Sequence, residues 1–316
     1  MSAKMLPARD GYGQALLELA ESRDNLMVMD ADVAKSTRTN WVADKHPDKF
    51  IDMGISEQDM VGTAAGLALT GMLPFATTYC VFLTGRAFDQ IRTTVCYGDL
   101  NVKLAGAHAG ISVSPDGATH QSLEDVALMR TLPNMTVVVP CDAEETRKAT
   151  LAIADLDGPC FIRFGREAVP VITDADTPFE LGKARLVRDG ADVVVFANGP
   201  MVHEASEAAS ELAAQGVDVM VVDLHTVKPL DEEFVLAAAQ KTGAVVTAEE
   251  HQKAGGMGSA VCEYLAEACP TPVVRVAVDD SFGESGEPGE LMAKYGLDKK
   301  HVLAAIRAAV GMKRHM

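Results

Sequence analysis

The chain has 316 residues, more than one typical domain contains, and this length favours two domains of about 150 residues each. With 48% hydrophobic and 23% charged residues, it has the composition of an ordinary globular protein, which excludes disordered, collagen-like and low-complexity chains. The net charge of −17 opposes long-range attraction to nucleic acids and anionic membranes, so we expect neither as a partner.

No apolar run approaches the roughly 18 residues that a membrane span needs, and the first residues, MSAKMLPARD, lack the apolar core of a signal peptide. We therefore expect a cytoplasmic protein. The cysteines show neither a CxxC pair nor the spacing of metal ligands, which predicts reduced thiols, no catalytic thiol and no metal site in this chain. These cysteines are Cys80, Cys96, Cys141, Cys160, Cys262 and Cys269.

Short apolar runs alternate with amphipathic stretches along the whole chain. This alternation is typical of βαβ units, and it predicts an α/β fold with two domains, each a mainly parallel sheet with helices on both faces. In the first half, the predicted strands are residues 26–30, 73–79, 101–107, 135–140 and 159–164.

Two helices of the first half have recognisable start signals. Residues 54–71 predict a helix with Glu57 in an acidic first turn. Taken alone, Glu57 is explained by its interaction with the positive end of the helix, worth about 0.3–1 kcal/mol. Residues 142–154 predict another helix, where Asp142 and then Glu145 form the pattern of a capping box.

Residues 168–190 interrupt the alternation with two prolines and mixed charges. We therefore predict a first domain over residues 1–175, a linker over 176–190 and a second domain over 191–316. The run GGMGSA at 255–260 lacks the full GxGxxG signature of nucleotide binding and predicts a tight strand-to-helix turn. The predicted strands of the second half are residues 191–198, 217–224, 243–249 and 272–278.

Aromatic side chains gather where the strand over 73–79 ends. Tyr79, Phe82 and Phe88 surround a predicted turn at Gly85, and aromatic residues at such a turn are more often part of the core than of a ligand site.

The stretch over 105–130 is long and has no clear periodicity between a predicted strand and a predicted helix. It contains His108, Asp116 and His120 among glycines. Connections of this length are usually functional in a compact domain, and the ligand crevice of an open α/β sheet lies beyond the carboxyl ends of its strands. The stretch is therefore a candidate site for a polar ligand.

Three strings of the first half, in this order and spacing, resemble the pyrimidine-binding domain of transketolase: GISEQ, RAFDQIR and AHAGISVSPDGATHQSLEDVALMR. EEHQKAGGMG (249–258) and SFGESG (281–286) resemble the C-terminal domain of the same family. The likeness covers nearly the whole chain. It implies a thiamine diphosphate enzyme that transfers a two-carbon ketol unit from a ketose phosphate to an aldose phosphate.

The resemblance also implies residue roles. Glu57 matches the catalytic glutamate that hydrogen-bonds the aminopyrimidine ring of the cofactor, Phe82 matches the aromatic residue that packs on this ring, and Tyr79 matches a second family aromatic. A third aromatic of some members would fall near Gly85, so this chain departs from the family there.

Six residues match positions around the sugar phosphate in the family. His108 and two arginines match the phosphate side, whereas Asp116 and His120 match positions near the hydroxyls of the reacting carbons, which makes His120 a second catalytic candidate. An arginine fork suits phosphate because its planar donors can bind two oxygens at once. The substrate-binding candidates are Arg9, Ser36, His108, Asp116, His120 and Arg166.

One family motif is missing. Members hold the diphosphate through a divalent cation, Mg²⁺ or Ca²⁺, with a GDG motif and downstream asparagines, but the only Gly-Asp here, at Gly98, is followed by Leu100. The chain thus resembles the C-terminal subunit of a split transketolase, whose N-terminal partner brings the GDG motif and most of the cation site. We also expect self-association to an α2β2 assembly, in which the smooth strip at Gly62 and Gly66 suits close helix packing.

Three alternatives stay open at this point. A deoxyxylulose-phosphate synthase shares a DGxTHQ-like string, a 2-oxoacid dehydrogenase beta subunit shares the two-domain plan, and a noncatalytic α/β ligand-binding subunit would explain the missing motif. His108 and the string SLEDVALMR favour transketolase. The sugar substrates stay open, either in the pentose phosphate pathway or in the breakdown of an unusual sugar. His203 and His251 match no family site, and we expect both to be structural.

Overall fold

The structure is a computed structural model that describes residues 4–313; the ends of the two predicted domain ranges, 1–3 and 314–316, lie outside the described residues. The strands are β1 Met5–Pro7, β2 Leu26–Asp30, β3 Phe50–Asp52, β4 Leu73–Tyr79, β5 Lys103–Ala107, β6 Thr136–Val138, β7 Cys160–Phe164, β8 Ala168–Pro170, β9 Arg185–Arg188, β10 Val193–Ala197, β11 Val219–Asp223, β12 Thr226–Lys228, β13 Val245–Gln252 and β14 Val273–Val278.

Helices occupy most of the connections between these strands. They are α1 Ala8–Ser22, α2 Ala34–Thr37, α3 Asn40–Lys45, α4 Glu57–Leu69, α5 Cys80–Arg86, α6 Phe88–Gln90, α7 Asp125–Arg130, α8 Ala143–Asp155, α9 Met201–Ala213, α10 Glu232–Thr242, α11 Met257–Ala268, α12 Pro288–Lys294 and α13 Lys299–Lys313. A π-helical turn, Ile91–Cys96, continues α6, and 3₁₀ turns span Pro47–Lys49 and Ile111–Asp116.

The first half forms a seven-stranded sheet in the order β12-β6-β7-β5-β4-β2-β3. The strands from β6 to β3 are parallel, as expected where helices cross between them. Only the edge strand β12 is antiparallel, and it comes from the second half of the chain. The second half therefore completes the first sheet.

The second sheet has the order β14-β13-β10-β11-β9. Its strands are parallel except for β9, which pairs antiparallel with β11 and lies inside the predicted linker. The predicted α/β fold with two mainly parallel sheets is confirmed, whereas the exact domain limits stay predictions. A separate short ribbon, β1 with β8, was not predicted.

Both sheets bury apolar side chains on both faces. In β2, Val28 packs with α1 and α8 on one face, and Met29 packs with α4 on the other. In β10, Val195 faces α9 and α13, whereas Phe196 joins α10 and α11 in the same cluster that contains Met29. The two halves thus share a continuous apolar core, which fixes one sheet against the other.

The helices predicted over 54–71 and 142–154 are present as α4 and α8, with one difference at the start of α8. The Asp142 side chain accepts the Glu145 amide at 2.9 Å, as predicted for an N-cap. The Glu145 carboxylate, however, accepts at 2.7 Å from the amide of Cys141, the residue before Asp142, rather than from the amide of Asp142 itself. The run at 255–260 is the predicted turn from β13 into α11.

The predicted turn at Gly85 is wrong, because Gly85 lies inside helix α5. All six cysteines are free thiols in the structure. Among residues 4–313, no helix combines the length and the apolar character that crossing a membrane requires.

Candidate active site

The carboxyl edge of the first sheet gathers the candidate side chains. Parallel strands end at the same edge, and the connections that follow them form the ligand crevice of α/β sheets. The candidates that follow or end strands of this sheet are Ser36 after β2, Glu57 after β3, Tyr79 and Phe82 at the end of β4, His108 after β5 and Arg166 after β7.

Glu57 and Phe82 form what we term the ring cradle. Glu57 is the first residue of α4, and its side chain is only 5% exposed. Arg86 donates from Nη1 to Glu57 Oε1 at 2.8 Å, and its Cζ lies 3.7 Å from the centroid of the Phe82 ring. A flat group with N–H donors thus already stacks on the ring while it binds the carboxylate. The cradle suits a planar, nitrogen-bearing ring.

A chain of aromatic rings joins the ring cradle to the long loop after β5. Tyr79 stacks on His108, with ring centroids 4.4 Å apart and an interplanar angle of 22°. Phe82 meets the edge of His120 at 5.1 Å, and the Tyr79 and Phe82 rings are 5.9 Å apart. The two predicted histidines therefore border the same space as the cradle.

Arg9, Ser36 and His108 form a second part of the site, which we term the anion pocket. Arg9 donates from Nη1 to the carbonyl of Ser36 at 3.0 Å and to Nε2 of His108 at 3.3 Å. Because a guanidinium only donates, the contact with Arg9 is a hydrogen bond in the tautomer whose Nε2 carries no proton. Burial, with Arg9 and Arg166 nearby, lowers the pKa of His108 to about 3. His108 is therefore neutral at physiological pH.

Two nitrogens of the anion pocket, Nδ1 of His108 and Nε of Arg9, are buried and have no partner within the described residues. Protein atoms cover both, so the groups that the pocket presents to a ligand are the half-buried guanidinium groups of Arg9 and Arg166. Guanidinium groups favour an oxyanion such as a phosphate group, because their planar donors can bind two oxygens at once.

Asp116 and Arg166 close the site on the side of the long loop. Their side chains approach to 3.4 Å, and Arg166 also donates to the carbonyl of Val113 at 3.1 Å. The structure thus brings all nine predicted site residues into one connected region. Their individual roles stay predictions.

Three supporting residues escaped the sequence analysis. Asp30, fully buried at the end of β2, accepts from the hydroxyls of Thr37 and Thr39 at 2.7 and 2.8 Å and thereby fixes the turn that carries Ser36. Burial raises the pKa of Asp30, which these hydrogen bonds oppose. The sequence signal for Asp30 is an acidic residue at the end of an apolar strand, LMVMD.

Arg163 and Asp125 form a buried ion pair at 2.6 Å beneath the long loop. Arg163 lies on β7 and Asp125 begins α7, so the pair ties the end of the loop to the sheet. An arginine inside the apolar run CFIRF was the sequence signal for a buried charge that needs a partner.

The two predicted structural histidines lie outside the ring cradle and the anion pocket. His251 is buried, and its Nε2 accepts the amide of Ala127 at 3.3 Å. His203 is half-buried on α9, which packs on β10 and β11.

A buried polar cluster lies where the two halves meet. Arg185 donates to Asp223 at 2.7 Å. The Sγ of Cys141 and one carboxylate oxygen each of Glu145 and Asp223 lie within 4.8 Å of one another. Burial, with Asp223 nearby, raises the pKa of Glu145 to about 8. Arg185 thus lies against two buried carboxyl groups, with its Nε 3.5 Å from Glu145 Oε1, and burial also raises the pKa of Asp223.

Fold and site define a two-domain α/β protein whose candidate site lies at the carboxyl edge of its first sheet. Residues 4–171 match the family model described as transketolase, pyrimidine binding domain, and residues 182–302 match transketolase, C-terminal domain. The chain belongs to the transketolase family.

Relatives of similar length include proteins described as transketolase subunits. The chain is 45% identical over 297 residues to the 6-deoxy-6-sulfo-D-fructose transketolase subunit SqwH of Clostridium sp. (strain MSTE9), covering 94% of this chain and 92% of that protein. It is 37% identical over 303 residues to an apulose-4-phosphate transketolase subunit of Phocaeicola vulgatus (strain ATCC 8482), covering 96% and 97%. A solved split gene transketolase, described as an inactive beta4 tetramer, superimposes with a TM-score of 0.92 at 48% identity, covering 98% of this chain and 100% of that chain.

Proposed function

We propose that this chain is the C-terminal subunit of a split transketolase. With a separate N-terminal subunit, it transfers a two-carbon ketol unit from a ketose phosphate to an aldose phosphate by means of thiamine diphosphate. The observation that carries this proposal is the ring cradle beside the anion pocket: a buried carboxylate and an aromatic face at one end of the site, and the half-buried guanidinium of Arg9 beside His108 at the other.

The ring cradle fits the aminopyrimidine of thiamine diphosphate. Arg86 already occupies it with a planar group that stacks on Phe82 and hydrogen-bonds Glu57. An aminopyrimidine can make the same two contacts, with a proton held between its ring nitrogen and Glu57. The cofactor, when bound, supplies the electron sink for cleavage of the bond between C2 and C3 of the ketose. Glu57 holds a proton at the pyrimidine ring nitrogen, in a site that its burial keeps poor in water.

The anion pocket fits the charged end of the sugar. Arg9 and Arg166 supply the positive charge, and His108 adds none near pH 7, because burial with these arginines nearby lowers its pKa to about 3. Asp116 and His120 face the hydroxyls nearer the reacting carbons. Buried donors and acceptors discriminate strongly against sugars that lack matching hydroxyls.

A partner chain completes the site. The 316 residues contain no Gly-Asp-Gly, so the diphosphate and its Mg²⁺ or Ca²⁺ are bound mainly by an N-terminal subunit with that motif. Two relatives of matching length are described as transketolase subunits, which supports the division into two chains.

The assembly is proposed to be α2β2. On α4, the strip at Gly62 and Gly66 is exposed, with no atom within 4 Å of the position of an added Cβ, and Ile55 and Leu69 beside it are each 74% exposed. The solved tetramer of a similar chain supports self-association. We place the enzyme in the cytoplasm. It serves either the pentose phosphate pathway or the use of an unusual ketose. The relatives named for a sulfo sugar and for apulose phosphate support the use of an unusual ketose.

The test is reconstitution with a chain that carries the GDG motif. We expect ketol transfer by the mixture with thiamine diphosphate and Mg²⁺, no transfer by either chain alone, and an α2β2 mass by light scattering. A panel of phosphorylated and sulfonated ketoses identifies the donor. Full activity of this chain without a partner, or no transfer by the mixture with any donor of the panel, would overturn the proposal.

A further inference from the structure

The segment over residues 108–122, which we term the sugar loop, is held by the second half of the chain. The amide of Ser112 donates to Glu250 Oε1 at 2.6 Å, the hydroxyl of Ser114 donates to the carbonyl of Gly286 at 2.6 Å, and Gln121 donates to the carbonyl of Glu284 at 2.9 Å. Ser114 has a φ of 73° in a non-glycine residue, a conformation that persists only where surrounding contacts impose it. Contacts with the second half of the chain therefore hold the sugar loop in its conformation.

Glu250 is the only one of these anchors that acts through a charged side chain. It lies on β13, its side chain is buried, and the carbonyl of the same residue accepts from Arg163 at 2.7 Å. The loop backbone passes directly over the carboxylate, because a Cβ added to Gly110 would lie 2.3 Å from it. Burial raises the pKa of Glu250, which Arg163 and the Ser112 amide oppose.

We propose that Glu250 is a positioning residue for the sugar phosphate: its carboxylate fixes the loop backbone at Ser112 and thereby sets where His108 and Asp116 meet the substrate. Ser112 lies midway between these two residues in the chain, so a shift of its amide is passed to both. A displacement of about 1 Å at a binding group is enough to lower a rate by about 100-fold. The inference rests on the proposed function, and it gives the C-terminal domain a role in substrate recognition.

The neighbouring residue offers a matched control. Glu249 is as buried as Glu250, but successive side chains of a strand point to opposite faces, and its carboxylate accepts the amides of Met257 and Gly258 at 2.7 and 2.8 Å inside the second domain. Replacement of Glu249 therefore removes a buried carboxylate of the same strand without touching the sugar loop.

The experiment compares Glu250→Ala, Glu250→Gln and Glu249→Gln with the wild-type chain. Hydrogen–deuterium exchange of the full chain reads the loop directly. In Glu250→Ala we expect exchange in the sugar loop to accelerate by about tenfold or more while the peptides of β10 and β11 keep their protection. Glu250→Gln keeps an oxygen acceptor for Ser112 and should lie between alanine and wild type. Glu249→Gln should lower the melting temperature without loosening the loop.

Kinetics of the mixed subunits supply the second readout. Glu250→Ala should raise the KM for the phosphorylated sugar about tenfold, with partial rescue in Glu250→Gln and no change in Glu249→Gln. Deuterium exchange at the thiazolium carbon of the cofactor, which does not involve the sugar, should change less than about twofold.

Unchanged loop exchange in both Glu250 variants would overturn the inference, whatever their activity. So would an equal rise in KM for Glu249→Gln, because it would make the effect one of general stability. Absence of ketol transfer with wild-type subunits would instead defeat the proposed function, and the loop exchange would still decide whether Glu250 holds the loop.

Discussion

Two regions near the carboxyl ends of strands use polar groups in different ways. Beyond the first sheet, the guanidinium of Arg9 is half-buried beside His108, and Arg86 is 47% exposed over the ring cradle. Within β13 of the second sheet, the carboxylates of Glu249 and Glu250 are buried and accept backbone amides.

This difference shows that one topology serves both binding and support. Parallel sheets gather loops at one edge in either case. Where backbone amides satisfy a buried carboxylate, as at Glu249, the region acts as a rigid support. Where a cation stays partly exposed, as at Arg9 and Arg86, the region can bind a ligand. Replacement of one group of either kind tests this difference.

The largest effect is expected for Glu57 in the ring cradle. With the mixed subunits, Glu57→Ala should slow deuterium exchange at the thiazolium carbon by at least about 100-fold, because a positioned acid–base group typically contributes 10²–10⁴-fold. The control is Asp59→Ala, since Asp59 also lies in the first turn of α4 but is exposed. Near-normal exchange in Glu57→Ala would mean that Glu57 only complements the helix end.

Removal of Arg166 should affect binding of the charged end of the sugar. Arg166→Ala should raise the KM for phosphorylated substrates about 10- to 100-fold with little change in kcat, as expected for loss of one charge-assisted hydrogen bond of about 1.5–3 kcal/mol. Arg23→Ala, which breaks a surface ion pair with Asp155, should leave KM unchanged. Equal losses with unphosphorylated acceptors would argue against a phosphate role.

Arg86 competes with the aminopyrimidine for the ring cradle in our account. Arg86→Ala should therefore tighten binding of thiamine diphosphate to the mixed subunits about fivefold by calorimetry, because a half-exposed ion pair and a cation–π contact are each worth no more than about 1 kcal/mol. Arg92→Ala, at an exposed arginine of the same string, is the control. Weaker binding in Arg86→Ala would make this arginine a cofactor ligand instead.

The smallest effect is expected at the buried junction around Glu145. Its pKa rises from 4.5 to about 8 on folding, so its stabilising contribution is complete below pH 4.5 and is lost as pH rises through about 8. Glu145→Gln cannot ionise and should lose about 2–4 °C less than wild type between pH 6 and pH 9 in thermal unfolding. Glu144→Gln, in the same first turn, should follow the wild-type pH dependence. A melting temperature of Glu145→Gln that falls with pH as steeply as that of wild type would contradict the raised pKa of Glu145.

Local patterns predicted the interior of the fold better than its edges. The predicted strands over 26–30 and 73–79 agree with the structure to the residue. Each is a short apolar run between turn signals, a pattern typical of a buried strand. β9 and the ribbon of β1 with β8 were missed because short edge strands form through tertiary pairing rather than their own pattern. The helix at Gly85 was missed because glycine is an ambiguous signal inside a short helix.

The candidate site followed from motifs, but its supports did not. Ring cradle and anion pocket come from strings that can be read along the chain, and the structure brings them together. Glu250 contacts a loop more than a hundred residues earlier in the chain. Arg86 meets Glu57, 29 residues before it, only because the fold brings α4 and α5 together. Contacts of this kind have no local periodicity, so a single sequence does not reveal them.

A crystal structure of the assembled two-chain enzyme with thiamine diphosphate tests the central claim most directly. We expect the aminopyrimidine to stack on Phe82 with a ring nitrogen in hydrogen-bond contact with Glu57, Arg86 displaced from the ring, and the diphosphate bound by the other chain. A cofactor whose rings lie elsewhere, with Arg86 still paired to Glu57, would contradict the account.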